Sequence, residues 1–147
     1  MKVKSIMTVD PVACLPDTNL GEVGRLMVEN DCGEIPVVET NGGLKPVGVI
    51  TDRDIVCRTV ARQINPLELK AKDCMTAPVH AISEDASVDD CCGLMETHQV
   101  RRALVVDGAG ALSGIVSQAD IARHMAGRKT AEVVREVSQP RSSVARA

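Results

Sequence analysis

The chain has 147 residues, of which 44% are hydrophobic and 25% charged, and it contains no Phe, Trp or Tyr. This length fits one domain or two small ones. A chain without aromatic rings offers no platform on which single-stranded nucleic acid can stack and no cage for a quaternary ammonium. Its core must come from Val, Ile, Leu, Met, Ala and Cys, a mixture that suits β-strands packed on helices.

In chain order, 12–15 predicts a short strand. Leu20, Val23, Gly24 and Met27 stand at i, i+3, i+4 and i+7, one face of a helix. The β-branched run 35–39 predicts a strand, Asn41-Gly42-Gly43 a turn, 47–51 a second strand and 52–62 a second helix. The stretch 63–70, with Pro66 inside it, reads as a connection. The same order then returns, with Val88, Cys91, Cys92 and Met95 on the matching helix face. Val133, Val134 and Val137 predict a short terminal helix over 130–138, packed on the body or on a partner chain and ended by Pro140. The last seven residues are expected to be disordered.

The recurrence is an internal repeat. Ile6-Met7-Thr8 returns as Cys74-Met75-Thr76, 68 positions later. Pro11-Val12 returns as Pro78-Val79, Leu26-Met27 as Leu94-Met95, and 35–38 as 103–106. Gly48-Val49-Ile50-Thr51 returns as Gly114-Ile115-Val116-Ser117 and Asp54-Ile55 as Asp120-Ile121, now at an offset of 66. The reading is therefore an α/β chain of two strand–helix–strand–strand–helix repeats, 3–62 and 71–126, followed by a basic helix and tail at 127–147.

Net charge is −3, which gives no basic footprint for nucleic acid. The segment 1–126 has 12 basic and 18 acidic groups (−6), and 127–147 has five basic and two acidic (+3), which reads as a solvated end. No apolar run reaches the 18 or so residues a membrane span needs, and the N-terminus lacks an apolar signal core, so a cytoplasmic location is expected. Thiols stay reduced there. The six cysteines show no Cys-x-x-Cys spacing, and no metal site is expected. Cys74 replaces Ile6, Cys91 replaces Val23, and Cys32 stands where the second copy has Val100. They read as small buried hydrophobes.

Each repeat closes on a motif that could carry chemistry: Gly-Val-Ile-Thr-Asp-Arg-Asp at 48–54 and Gly-Ile-Val-Ser-Gln-Ala-Asp at 114–120. A hydroxyl followed by an acid at i+3, where strand turns into helix, is a capping box. The same atoms suit a nucleoside phosphate: the hydroxyl and the free helix amides can meet phosphate, and the carboxylate can accept from vicinal ribose hydroxyls. Both roles stay open on spacing alone. Arg53 in the first motif, and Arg101 and Arg102 before the second inner strand, are further candidates for phosphate. A purine would be walled by aliphatic and backbone groups. The candidates are Val12, Ala13 and Pro36 for the first copy, with Val79, His80 and Leu104 as counterparts. No phosphate-binding Gly-rich loop ending in Gly-Lys-Thr/Ser and no nucleophile–base arrangement occurs.

The repeated Met-Thr-x-x-Pro start, the Ile-Pro-Val-Val strand and the Gly-Val-Ile-Thr-Asp-Arg-Asp end resemble a pair of cystathionine-β-synthase (CBS) domains, over about 1–126. The chain is similar to the small stand-alone bacterial members. The resemblance implies two βαββα units packed pseudo-symmetrically, usually dimerised into a disc. It also implies clefts between the copies that hold AMP, ADP, ATP, NAD(H) or S-adenosylmethionine. Carried over, Thr51 and Asp54 serve one cleft, and Ser117 and Asp120 the other. The second motif departs from the commoner charged filling at Gln118 and Ala119. The function implied by the resemblance is that of a non-enzymatic regulatory module, a homodimer that senses energy or redox state and acts on a separate protein, with no required cofactor. The alternative is a dimerisation adaptor with vestigial clefts; a nucleotide hydrolase is a third reading.

Overall fold

A computed structural model describes residues 1–125 and 127–140. Its elements are β1 (Thr8–Val9), α1 (Leu20–Glu29), β2 (Glu34–Glu39), β3 (Lys45–Thr51), α2 (Asp52–Arg58), α3 (Ala71–Cys74), β4 (Ala81–Ser83), α4 (Val88–His98), β5 (Arg102–Val106), β6 (Leu112–Ser117), α5 (Gln118–His124) and α6 (Gly127–Val137). They gather into two compact units. One contains Met1–Val9, His80–Gly108 and 113 onwards; the other contains Asp10–Val79 and Ala109–Leu112.

In the Asp10–Val79 unit, α1 buries Leu20, Val23 and Met27, the face that the spacing predicts. They pack with Ile35, Val37 and Ile50 from the antiparallel pair β2–β3, in which Ile35 faces Ile50 and Val37 faces Gly48. Ala71 and Cys74 of α3 complete this core. The segment 12–15, predicted as a strand, contributes one parallel bridge, Cys14 with Val37. Pro11 and Pro16 flank it and have no N–H to extend the ladder, so pairing stops at the Cys14 and Val38 amides. On the other side of β3, Thr76 pairs with Val49.

The second unit repeats this plan with four strands in its sheet, in the order β1–β6–β5–β4. β4 runs parallel to β5, and β1 antiparallel to β6 with Thr8 opposite Ile115. On α4, Val88, Cys91, Cys92 and Met95 are buried, as predicted. Ser87 caps that helix by accepting the Asp90 amide at 3.0 Å. Val133 and Val137 of α6 join the same core, so the terminal helix packs on the body of its own chain. It begins at Gly127 rather than at 130. The last seven residues, expected to be disordered, lie outside the described residues.

The helix predicted over 52–62 ends at Arg58 and continues as a 3-10 turn, Val60–Arg62. Thr59 interrupts it. Its backbone is non-helical, and both its amide and its hydroxyl bond the Ile55 carbonyl while its side chain is fully buried.

The leading segment of each sequence repeat packs in the unit that holds the body of the other repeat. Val3 and Ile6 belong to the core of α4, β5 and β6, while Ala71 and Cys74 belong to the core of α1, β2 and β3. Matching lysine pairs fasten both segments. Lys2 and Lys4 reach Asp85 at 3.3 and 2.8 Å, and Lys70 and Lys72 reach Asp17 at 3.6 and 2.9 Å.

Candidate functional site

Both strand–helix junctions form the capping box that the spacing predicts. At the first, the Asp54 amide donates to Thr51 Oγ1 and the Thr51 amide donates to Asp54 Oδ2, each at 3.0 Å. At the second, the Asp120 amide donates to Ser117 Oγ at 3.2 Å and the Ser117 amide to Asp120 Oδ2 at 2.8 Å. The strand brings the hydroxyl residue in extended conformation, and the helix turns its third residue back under it.

The two carboxylates differ in what else they meet. Among the described residues, Asp54 Oδ1 has no backbone partner. The Thr76 hydroxyl stands 3.5 Å from it and an Arg58 nitrogen 3.9 Å. Arg58 is itself turned to the Cys74 and Met75 carbonyls, at 3.1 and 2.8 Å, and to the Thr76 hydroxyl at 3.1 Å. Asp120 is 6% exposed. Its Oδ2 also accepts from the Ser117 hydroxyl at 2.8 Å, and its Oδ1 from Arg123. Burial pushes its carboxyl toward the neutral form. The Ser117 amide and hydroxyl and the Arg123 guanidinium outweigh that, so it stays below the usual carboxylate range.

Some of the other expected residues lie at the same end of their sheet as these junctions. In the Asp10–Val79 unit, the Cys14 amide donates to the Pro36 carbonyl and the Asp52 amide to the Gly33 carbonyl. This puts half-buried Val12 and Ala13, buried Pro36, and Thr51 at one end of the sheet, on either side of β2. Arg53 is exposed on α2. In the other unit the Leu104 amide donates to the His80 carbonyl at 3.3 Å and the Gln118 amide to the Arg101 carbonyl at 3.0 Å. His80, buried Leu104 and Ser117 thereby share the matching end of that sheet. Arg102 is the first residue of β5 rather than preceding it, and it and Arg101 are exposed. Val79 is half-buried and belongs to the other unit, at the end of its Asp10–Val79 stretch. A groove of about 240 Å³ lies at the opposite end of β2, between Leu15, Asp17 and Asn41, and holds none of the expected residues.

Sequence reasoning missed Thr76, Arg58, Arg123 and His98. Thr76 carried a signal, since Met75-Thr76 repeats Met7-Thr8, but its neighbour Asp54 lies 22 positions away. The buried Gln118 Oε1, on the residue after Ser117, has no hydrogen-bond partner among the described residues. Burial pushes the Cys14 thiol up to about 11 and that of Cys91 up to about 12, which keeps both protonated. Among the described residues, no group of three or more His, Cys, Asp or Glu is placed to hold a metal ion, and no helix is long and apolar enough to cross a membrane.

The sequence profile of the CBS domain matches residues 3–58 and again 71–127. The chain belongs to the CBS domain family. Hypoxic response protein 1 of Mycobacterium tuberculosis is 32% identical over 130 residues, which cover 88% of this chain and 89% of that one. A crystal structure of Hypoxic Response Protein I with two coordinated zinc ions aligns at TM-score 0.76 and 31% identity, over 86% of this chain and 100% of the other. CBSX2, a CBS-pair protein of Arabidopsis thaliana, has been solved in complex with AMP; it aligns at TM-score 0.68 and 25% identity, covering 83% and 93%. The CBS domain pair of protein MJ0100, in complex with 5′-methylthioadenosine and S-adenosyl-L-methionine, aligns at TM-score 0.71 and 26% identity, covering 84% and 94%. As a CBS pair, the chain presents its hydroxyl–carboxylate motif twice, once in each compact unit.

Proposed function

We propose that this CBS pair is a non-enzymatic regulatory module that binds an adenosyl ligand: AMP, ADP, ATP, NAD(H) or S-adenosylmethionine. Thr51 and Ser117 serve phosphate, Asp54 and Asp120 serve ribose, and Arg53, Arg101 and Arg102 lie at the phosphate side. The observation that carries this reading is the repeated hydroxyl–carboxylate pair, with one carboxylate oxygen, Asp54 Oδ1, outside the backbone bonding of its capping box. AMP in CBSX2, and methylthioadenosine and S-adenosylmethionine in MJ0100, support the ligand class. Ligand occupancy reports energy or redox state in the cytoplasm, and a homodimer passes it to a separate protein.

A second reading has its own support. Both capping boxes are closed by their own backbone, so helix capping alone accounts for the four residues, as in an adaptor without ligands.

Isothermal titration of the ligand-stripped protein with AMP, ATP, NAD(H) and S-adenosylmethionine separates the two. Binding tighter than roughly millimolar is expected for at least one ligand. Asp54→Ala and Asp120→Ala are each expected to remove one stoichiometric site while unfolding stays cooperative, at a cost of about 1 kcal/mol for the lost cap. No binding by the parent favours the adaptor, and unchanged binding in both variants removes the ribose assignment.

A further inference from the structure

In a chain without Phe, Tyr or Trp, only histidine has a flat aromatic face, and two of the three histidines lie against each other. The His80 and His98 rings stack at a centroid distance of 3.8 Å with 19° between their planes. His80 enters β4 and is half-buried; His98 is the exposed last residue of α4. One face of the His80 ring is thus covered by His98.

The pair stands at the end of the sheet that carries Ser117. His80 is tied to one side of β5 through the Leu104 amide, and the Ser117–Gln118 junction to its other side through the Arg101 carbonyl. Two strand spacings, about 10 Å, separate them, a gap that a nucleoside can bridge from ribose to base. The strand register, in which Cys14 meets Val37 as Ile82 meets Val105, puts Val12 in the place of His80, one position away from the sequence match with Ala13; Asn30 stands in the place of His98, so the first repeat has no such pair.

We propose that the His80 ring is the base-stacking face of the Ser117–Asp120 site, with His98 as the positioning residue behind it, which makes this site alone proton-sensitive. The inference rests on the ligand reading above and deepens it. A neutral pair, or one sharing a single charge, stays stacked. Two imidazolium rings at this separation repel, and the wall opens.

Burial holds the His80 ring below the usual imidazole range, and the charge of His98 adds to this. Among the described residues, His98 is the titratable group that acts on it electrostatically. The charged side chains flanking the pair in the chain are Glu96 on α4, Arg102 on β5 and Arg101 before it. Proton uptake therefore opposes stacking, and base affinity falls as the pH falls.

Adenosine is the probe, because it has no phosphate titrating near pH 6. Calorimetry on the ligand-stripped protein is expected to show one of two sites weakening by roughly tenfold between about pH 7.5 and 5.5, the worth of one base-stacking contact. His98→Phe keeps a ring behind His80 without a charge. It is expected to retain the affinity near neutral pH and to lose the acid-induced drop. His80→Val, the residue of the first repeat, is expected to weaken that site by roughly tenfold at neutral pH and leave the other unchanged.

A second readout needs no ligand. With three histidines, the ring-proton NMR spectrum resolves each titration, and the His80 midpoint is expected to rise in His98→Phe. An unmoved midpoint, a persisting acid drop in His98→Phe, or parental binding by His80→Val each overturns the stacking role and leaves the ligand reading intact. Failure of the parent to bind adenosine at either site overturns this proposal, and the ligand reading falls with it only if AMP, ATP, NAD(H) and S-adenosylmethionine fail to bind as well.

Discussion

Gly48 and Gly114 show how one missing atom lets a neighbouring strand come close. A Cβ on Gly48 would lie 2.6 Å from Met75 Sδ and 3.1 Å from the Thr76 carbonyl oxygen. On Gly114 it would lie 2.5 Å from Met7 Sδ and 2.9 Å from the Thr8 carbonyl oxygen. The thioether can swing away, but a carbonyl in a strand ladder cannot. Gly114→Ala is therefore expected to lose about 2 kcal/mol of stability to overpacking, and Gly48→Ala less, as read from urea unfolding midpoints. The glycines were legible in the sequence as matched positions, and so were the caps beside them, because hydroxyl and acid three apart in a chain also meet in space. The companions of the caps were not. Thr76 approaches Asp54 across 22 positions and Arg58 crosses 17 to reach the Met75 carbonyl, separations that no local spacing encodes.

At the scale of elements, periodicity identified α1, α4 and their buried faces, because helices of ten and eleven residues repeat their pattern often enough to be read. It failed where elements are short. β1 is two residues long, 12–15 shrinks to a single bridge, and the helix from Asp52 stops where Thr59 turns its hydroxyl to the Ile55 carbonyl. The terminal helix was legible as an apolar stripe, but a stripe names no partner. Its valines prove to have different duties, Val133 being 1% exposed and Val134 41%. Val133→Ala is expected to lower stability by about 2 kcal/mol through lost burial and a small cavity, with Val134→Ala near neutral. Thermal unfolding of the two variants side by side checks this, and equal shifts would mean that α6 is not seated on the body.

For the whole molecule, the repeat seen in the sequence and the compact units of the structure divide the chain differently. Both family matches, 3–58 and 71–127, begin with a segment that packs in the unit of the other match. Sequence similarity aligns like with like and carries no record of which copy a segment touches, so this exchange could not be read from the repeat. It predicts the behaviour of a divided chain. A fragment 1–65 would lack Ala71 and Cys74, both fully buried in its core. It is expected not to unfold cooperatively alone. Co-expressed 1–65 and 66–147 are expected to copurify and to restore a cooperative transition. Calorimetry of each fragment and of the mixture tests this, and a fragment 1–65 that folds by itself would refute it.

The exchange of leading segments also sets a parity rule for how such a chain can change over generations. Deleting one repeat would leave a body with an unfilled edge and a leading segment with no glycine to lie on. Adding one would create the same mismatch at a new place. Gains and losses that keep every edge filled come two repeats at a time, so the smallest heritable unit of this architecture is the pair.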